Sequence, residues 1–147
     1  MKSLSSLLVL LTLSACSITQ EINPVSKLTG QEICIVGNPE VNVNVLKAYK
    51  KRLKSKGFTV RVLPEKSAIS SCKVTSTYDA IWTWDIAVYL SYAWIKIYDS
   101  GAIIGEAEYD SRWGGARFDK FINAETKIKE MVDQLFPSYR NQYNTGS

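Results

Sequence analysis

The hydrophobic positions change period several times along the chain. Glu32–Gly37 (EICIVG) is a short apolar run with little alternation, which predicts a strand buried on both faces. Asn38-Pro39-Glu40 is turn chemistry. Val45, Leu46, Tyr49 and Leu53 then recur at helical spacing, predicting a helix over Val41–Lys56. Lys47, Lys50, Lys51, Arg52, Lys54 and Lys56 crowd its other side, and Gly57 is placed to end it. Phe58, Val60 and Val62 alternate with Thr59 and Arg61, the pattern of a strand. A strand–helix–strand unit of this size favours a parallel crossover.

Beyond the loop Pro64–Lys73, three β-rich runs follow: Tyr78–Trp84, Tyr89–Tyr98 and Ala102–Tyr109. Asp99-Ser100-Gly101 between the last two predicts a hairpin. Ser111–Ala116, with Gly114-Gly115, reads as a loop. The final element, Lys120–Phe136, places Phe121, Ile128, Met131, Val132 and Leu135 on one stripe and stops at Pro137. The fold class expected is α/β in the α+β sense: one domain in the order β-α-β-β-β-β-α, a five-stranded mixed sheet with two helices packed on one face. The globular part is expected over 31–137, with 138–147 a disordered tail.

The chain opens with Lys2 followed by the apolar stretch Leu4–Leu13, too short to span a bilayer but of signal-peptide length. It ends Leu13-Ser14-Ala15-Cys16. This resembles the lipobox of bacterial lipoproteins, and the whole chain resembles small proteobacterial envelope lipoproteins. The resemblance implies removal of 1–15, acylation of Cys16 as the first mature residue, and permanent attachment to a membrane through that lipid. Ser17, rather than Asp, leans towards the outer membrane, on its periplasmic face. The alternatives are an ordinary signal peptide with an incidental cysteine, or a buried N-terminal helix. Residues 16–30, polar and containing Pro24 and Gly30, read as a flexible tether. The strand–helix–strand start also resembles the small α/β domains of envelope-assembly accessory lipoproteins, in pattern alone.

Composition narrows the chemistry. The 147 residues include no histidine, which excludes Ser-His-Asp and Cys-His hydrolases and the usual zinc hydrolases. Loss of 1–15 removes Lys2, so 18 basic residues become 17 against 14 acidic, a mature charge of +3. In an exported protein that mild basicity does not indicate nucleic acid, and no metal or cofactor is expected. With Cys16 acylated, Cys34 and Cys72 remain in an oxidising compartment, and a disulfide between them is expected over two free thiols. Neither belongs to a CxxC pair.

All four tryptophans and five of eight tyrosines lie between Tyr78 and Trp113. Alternation puts Ala93, Ile95 and Ile97 on one face, with Ile103, Gly105, Ala107 and Tyr109. Tyr92, Trp94, Lys96 and Tyr98 fall on the other, with Ile104, Glu106 and Glu108. Two helices on one side leave that second face open, so Tyr92, Trp94, Lys96, Tyr98 and Ile104 are the candidate surface for an envelope protein partner. The alternative is a core aromatic cluster with snorkelling charges. Trp82 and Trp84 fit neither face. In Asp110–Lys120 (DSRWGGARFDK), Arg112, Gly114, Gly115 and Arg117, with Lys120, are a candidate anion-receiving loop, or simply a strand-to-helix connection with solvated charges. The lysine-rich helix face could meet anionic headgroups, an acidic partner or, against the export signal, a nucleic acid, or simply be solvated. Of the carboxylates Asp79, Asp85, Glu106, Glu108 and Asp110, Glu106 and Glu108 share a strand face, so a glycosidase-like pair is geometrically conceivable. The reading is therefore a lipid-anchored, non-catalytic accessory module that binds another envelope component. The alternatives are a small envelope enzyme or inhibitor using Glu106/Glu108 or the Gly114-Gly115 loop, and a mainly structural lipoprotein.

Overall fold

A six-stranded mixed sheet organises residues 17–139, the part of the chain that the computed structural model describes. The expected signal segment 1–15, the lipidation candidate Cys16 and most of the expected tail lie outside the described residues. The elements run β1 (Thr19–Asn23), β2 (Glu32–Val36), α1 (Val43–Ser55), β3 (Thr59–Leu63), β4 (Val74–Asp85), β5 (Ala87–Asp99), β6 (Ala102–Asp110) and α2 (Ala124–Leu135), with a 3-10 turn at Phe118–Phe121. Across the sheet the order is β1-β6-β5-β4-β2-β3. β2 runs parallel to β3 and to β4, and the remaining pairs are antiparallel.

The α+β class and single sheet agree with the sequence pattern; the strand count is six rather than five. The added strand is β1, whose five residues lie within the span 16–30 expected as a tether. Ile18 and Ile22 face the core, but the inward position between them is Gln20, which hides the alternation in the sequence. Gln20 is satisfied by α2: its amide donates to Glu130 and to Gln134, at 2.9 Å each, and its carbonyl accepts from Lys127 at 2.9 Å. Val25 follows into the core, its N–H donating to Leu135 O at 2.8 Å. At the other end Tyr139 packs on Phe58 and Phe136, so the globule runs two residues past Pro137.

Each helix begins where an asparagine side chain satisfies an otherwise unpaired N–H: Asn42 accepts from Asn44 at 2.9 Å, and Asn123 from Thr126 at 3.2 Å. α1 ends ahead of Gly57, which adopts φ +95°. α1 buries Val45, Ala48, Tyr49 and Leu53; α2 buries Ile128, Met131, Val132 and Leu135. These meet Ile33, Ile35, Ile95, Ile97 and Ala107 from the sheet, and each large apolar side chain so buried contributes about 1.5–3 kcal/mol. Phe121 belongs to the 3-10 turn rather than to the α2 stripe. The basic run of α1 is divided. Arg52 and Lys56 turn inward to Asp133 of α2, at 2.6 and 3.1 Å, while Lys47, Lys51 and Lys54 stay exposed.

Cys34 and Cys72 are disulfide-bonded, fixing the Pro64–Lys73 loop to β2. Ser100 and Gly101, both at positive φ, close the tight β5–β6 hairpin.

Candidate functional site

The sheet presents one face to both helices and leaves the other uncovered. On β5, Ala93, Ile95 and Ile97 are buried beneath the helices, whereas Tyr92, Trp94, Lys96 and Tyr98 alternate outwards and stay partly exposed. The outward row is laced together. The Arg112 guanidinium stacks 4.2 Å from the Tyr92 ring centre, and Lys96 sits 5.3 Å over Trp94 while pairing with Glu106 at 3.1 Å. The hydrogen bond to Glu106 holds the Lys96 ammonium above its ordinary range. Partial burial, with Glu108 beside it, pushes the Tyr92 hydroxyl up.

Ile104 does not belong to this surface. A bulge between Ile97 and Tyr98 sets Ile97 against Gly105 and Tyr98 against Ile103, leaving Ile104 as the extra residue. Ile104 packs against the core, and Ile103, 49% exposed, takes the place opposite Tyr98. A single inserted residue reverses the alternation that assigned it.

Glu106 and Glu108 do share the open face, and β1 adds Glu21, in register with Glu108. The three acids border an open depression rather than a cleft, and Glu106 is engaged by Lys96.

The Asp110–Lys120 loop does not assemble as an anion receiver. Arg112 donates to Asp110 at 2.6 Å, which holds the Asp110 carboxyl below the usual carboxylate range. Arg117 is paired with Asp119. Lys120 is buried and donates to Asp85 and to Gly115 O at 2.5 and 2.6 Å. Gly114 is needed for space: a Cβ there would lie 3.0 Å from Ser111 O and 3.1 Å from Ile18. Gly115 adopts φ +54°. The glycines serve the turn, and the cations already hold carboxylates.

The sequence pattern passed over the far end of β4 and β5. The two strands continue as a hairpin past the last pairing with β6, Tyr92 with Asp110, through Trp82–Leu90, Thr83–Tyr89, Trp84–Val88 and Asp85–Ala87. Ile86 forms the apex. Every residue from Ile81 to Val88 is exposed. The stretch carries no Gly, Pro or Asn to mark a turn, so it reads as two shorter strands with a gap. The available signal is period-2 spacing of Trp82, Trp84, Ile86 and Val88 straight through the turn.

Beside β2, Glu32, Cys34 and Cys72 bring ligand-type atoms within 4.8 Å of one another, but the two sulfurs are bonded to each other and Arg61 pairs with Glu32.

No protein-family model matches the chain, and no curated protein matches it. Solved structures do. A PelC dodecamer from Paraburkholderia phytofirmans, carrying one substitution, superposes with a TM-score of 0.56 at 13% identity over 86% of this chain and all of that one. The PelC dodecamer of the same organism in another crystal form gives 0.54 and 13%, over 82% and 98%. At this identity the likeness shows a shared fold.

Proposed function

We propose that this chain is a non-catalytic lipoprotein of the cell envelope, held by lipid at Cys16 on the periplasmic face of the outer membrane, whose sheet face binds another envelope component. The observation that carries this reading is the row Tyr92, Trp94, Lys96 and Tyr98, half-exposed on the face that neither helix covers. Aromatic rings with a few fixed charges are the usual composition of an interface centre. The lipobox at Leu13–Cys16 supports the anchor. The test is crosslinking in intact cells followed by purification from membranes, comparing the native chain with a Tyr92→Ala/Trp94→Ala variant. Loss of a defined adduct is expected, and equal recovery from both would remove the site. Fractionation of a Cys16→Ala chain tests the anchor: its release from the membrane is expected.

A second reading concerns what the partner is. The similar structures are dodecamers, and among the described residues β1 and β3 each leave one strand edge unpaired at opposite ends of the sheet. Two different edges can join copies head to tail in a closed assembly. Light scattering of the detergent-extracted chain tests this, and a monomer at micromolar concentration would overturn it.

A further inference from the structure

We propose that the free end of the β4–β5 hairpin, together with Trp113 and Phe118 beside it, seats in the interfacial layer of a phospholipid bilayer. Among the described residues, most of the large exposed apolar side chains gather here: Trp84 at 74%, Ile86 at 80%, Trp113 at 74% and Phe118 at 81%, with Trp82 and Val88 between them. The single carboxylate of the hairpin tip, Asp85, is turned to Lys120. Tryptophan on an exposed apolar end is the residue type favoured at the depth of lipid headgroups. Across the groove from Trp82 stand the exposed Lys47 and Lys51, on the side where a bilayer would present anionic headgroups.

Folding alone does not account for the apex. Ile86 holds φ +56°, a region that a β-branched residue enters at a cost and that glycine or asparagine would occupy freely. The apolar side chain is kept where both water and backbone geometry disfavour it.

The occupant follows from where the described chain begins. β1 is antiparallel to β6, with Thr19 opposite Asp110, so the chain runs back towards Cys16 from the same end of the sheet as the hairpin. Cys16 lies three residues before Thr19, at most about 11 Å from it. The Ile86 apex lies six residues beyond Tyr92, the partner of Asp110, or about 20 Å along the strand. With Cys16 at the membrane surface and its link to Thr19 fully extended, the apex reaches roughly 10 Å further, the depth to which interfacial segments bury. This depth rests on the anchor proposed above; the apolar end itself does not.

The test uses the full chain purified from membranes and reconstituted in phosphatidylethanolamine–phosphatidylglycerol vesicles, plain or with brominated acyl chains, with the mass of Cys16 recorded in parallel. Bromine is expected to quench tryptophan emission, and Trp84→Phe/Trp113→Phe to remove most of the quenchable part. Equal emission in both vesicle types overturns the proposal, as does quenching that the double variant leaves unchanged. Crosslinking of Ile86→Cys chains to one another without bromine quenching also overturns it, because a second copy then covers the end. Acylated Cys16 without quenching removes the hairpin proposal alone. Quenching with an unmodified Cys16 supports it and removes the anchor.

Discussion

The Lys120 ammonium, 4% exposed, reaches from the turn before α2 to the carboxylate of Asp85 at the tip of β4, and so ties the projecting hairpin to the body of the protein. The same group donates to Gly115 O and lies 5.2 Å over Tyr89 and 5.3 Å over Phe121. The lysine is enclosed while Asp85 is half-exposed. The two ends of the pair therefore differ in what their loss costs. Asp85→Ala leaves a buried cation with one fewer partner and is expected to lower stability by about 1–3 kcal/mol. Lys120→Met removes the cation and keeps the apolar stem, so it should cost less. Urea denaturation of both variants checks the order, and a costlier Lys120→Met would contradict it.

The Cys34–Cys72 bridge closes a separation of 38 residues. On the chain-entropy account its removal costs about 4 kcal/mol, less any strain released. A Cys34→Ser/Cys72→Ser variant should show a correspondingly lower urea midpoint, and reductant should lower the midpoint of the native chain and leave the variant unmoved.

Gly105 sits on the buried side of β6, where a Cβ would lie 2.4 Å from Val25 Cγ2 and 3.2 Å from Leu135 Cδ1. Gly105→Ala is therefore expected to destabilise by about 1–3 kcal/mol through overpacking. Val25→Ala relieves the clash, so the double variant should lose less than the sum of the single losses. A strictly additive double-mutant cycle would show that Val25 is not the obstacle.

Asp110 supplies the pH dependence. The Arg112 hydrogen bond holds its carboxyl below the ordinary aspartate value of about 3.9. A group whose folded pKa is depressed contributes stability that is present above the unfolded value and disappears as pH falls through the folded one. The gap in melting temperature between the native chain and Asp110→Asn should be constant near neutrality and close below about pH 4. A gap that widens on acidification would contradict the pairing.

Period and turn chemistry were enough to place α1, β2, β3, β5, β6 and the hairpin at Ser100-Gly101; in α1, β2 and β5 the apolar spacing also agrees with the burial. The outward row Tyr92, Trp94, Lys96 and Tyr98 was legible for the same reason. Three features were not, and each fails at one residue. β1 is masked by Gln20, a polar side chain facing inward whose partners on α2 lie more than 100 positions away. Ile104 is misassigned because a bulge reverses the face of everything before it. The β4–β5 tip is missed because Ile86 turns the chain at positive φ with no Gly, Pro or Asn to mark it. Local pattern cannot report a contact that only the folded chain supplies, and all three depend on one.

Because β1 begins at Thr19 and is stitched to β6 along its full length, little slack separates Ser17, the first described residue, from the sheet. A pull at Ser17 acts along the axis of β1, so the five paired positions from Thr19–Asp110 to Asn23–Glu106 bear the load together in shear instead of opening one at a time. β1 thus works as a stiff mechanical coupling: a displacement applied at its leading end passes straight into β6, β5 and the projecting hairpin.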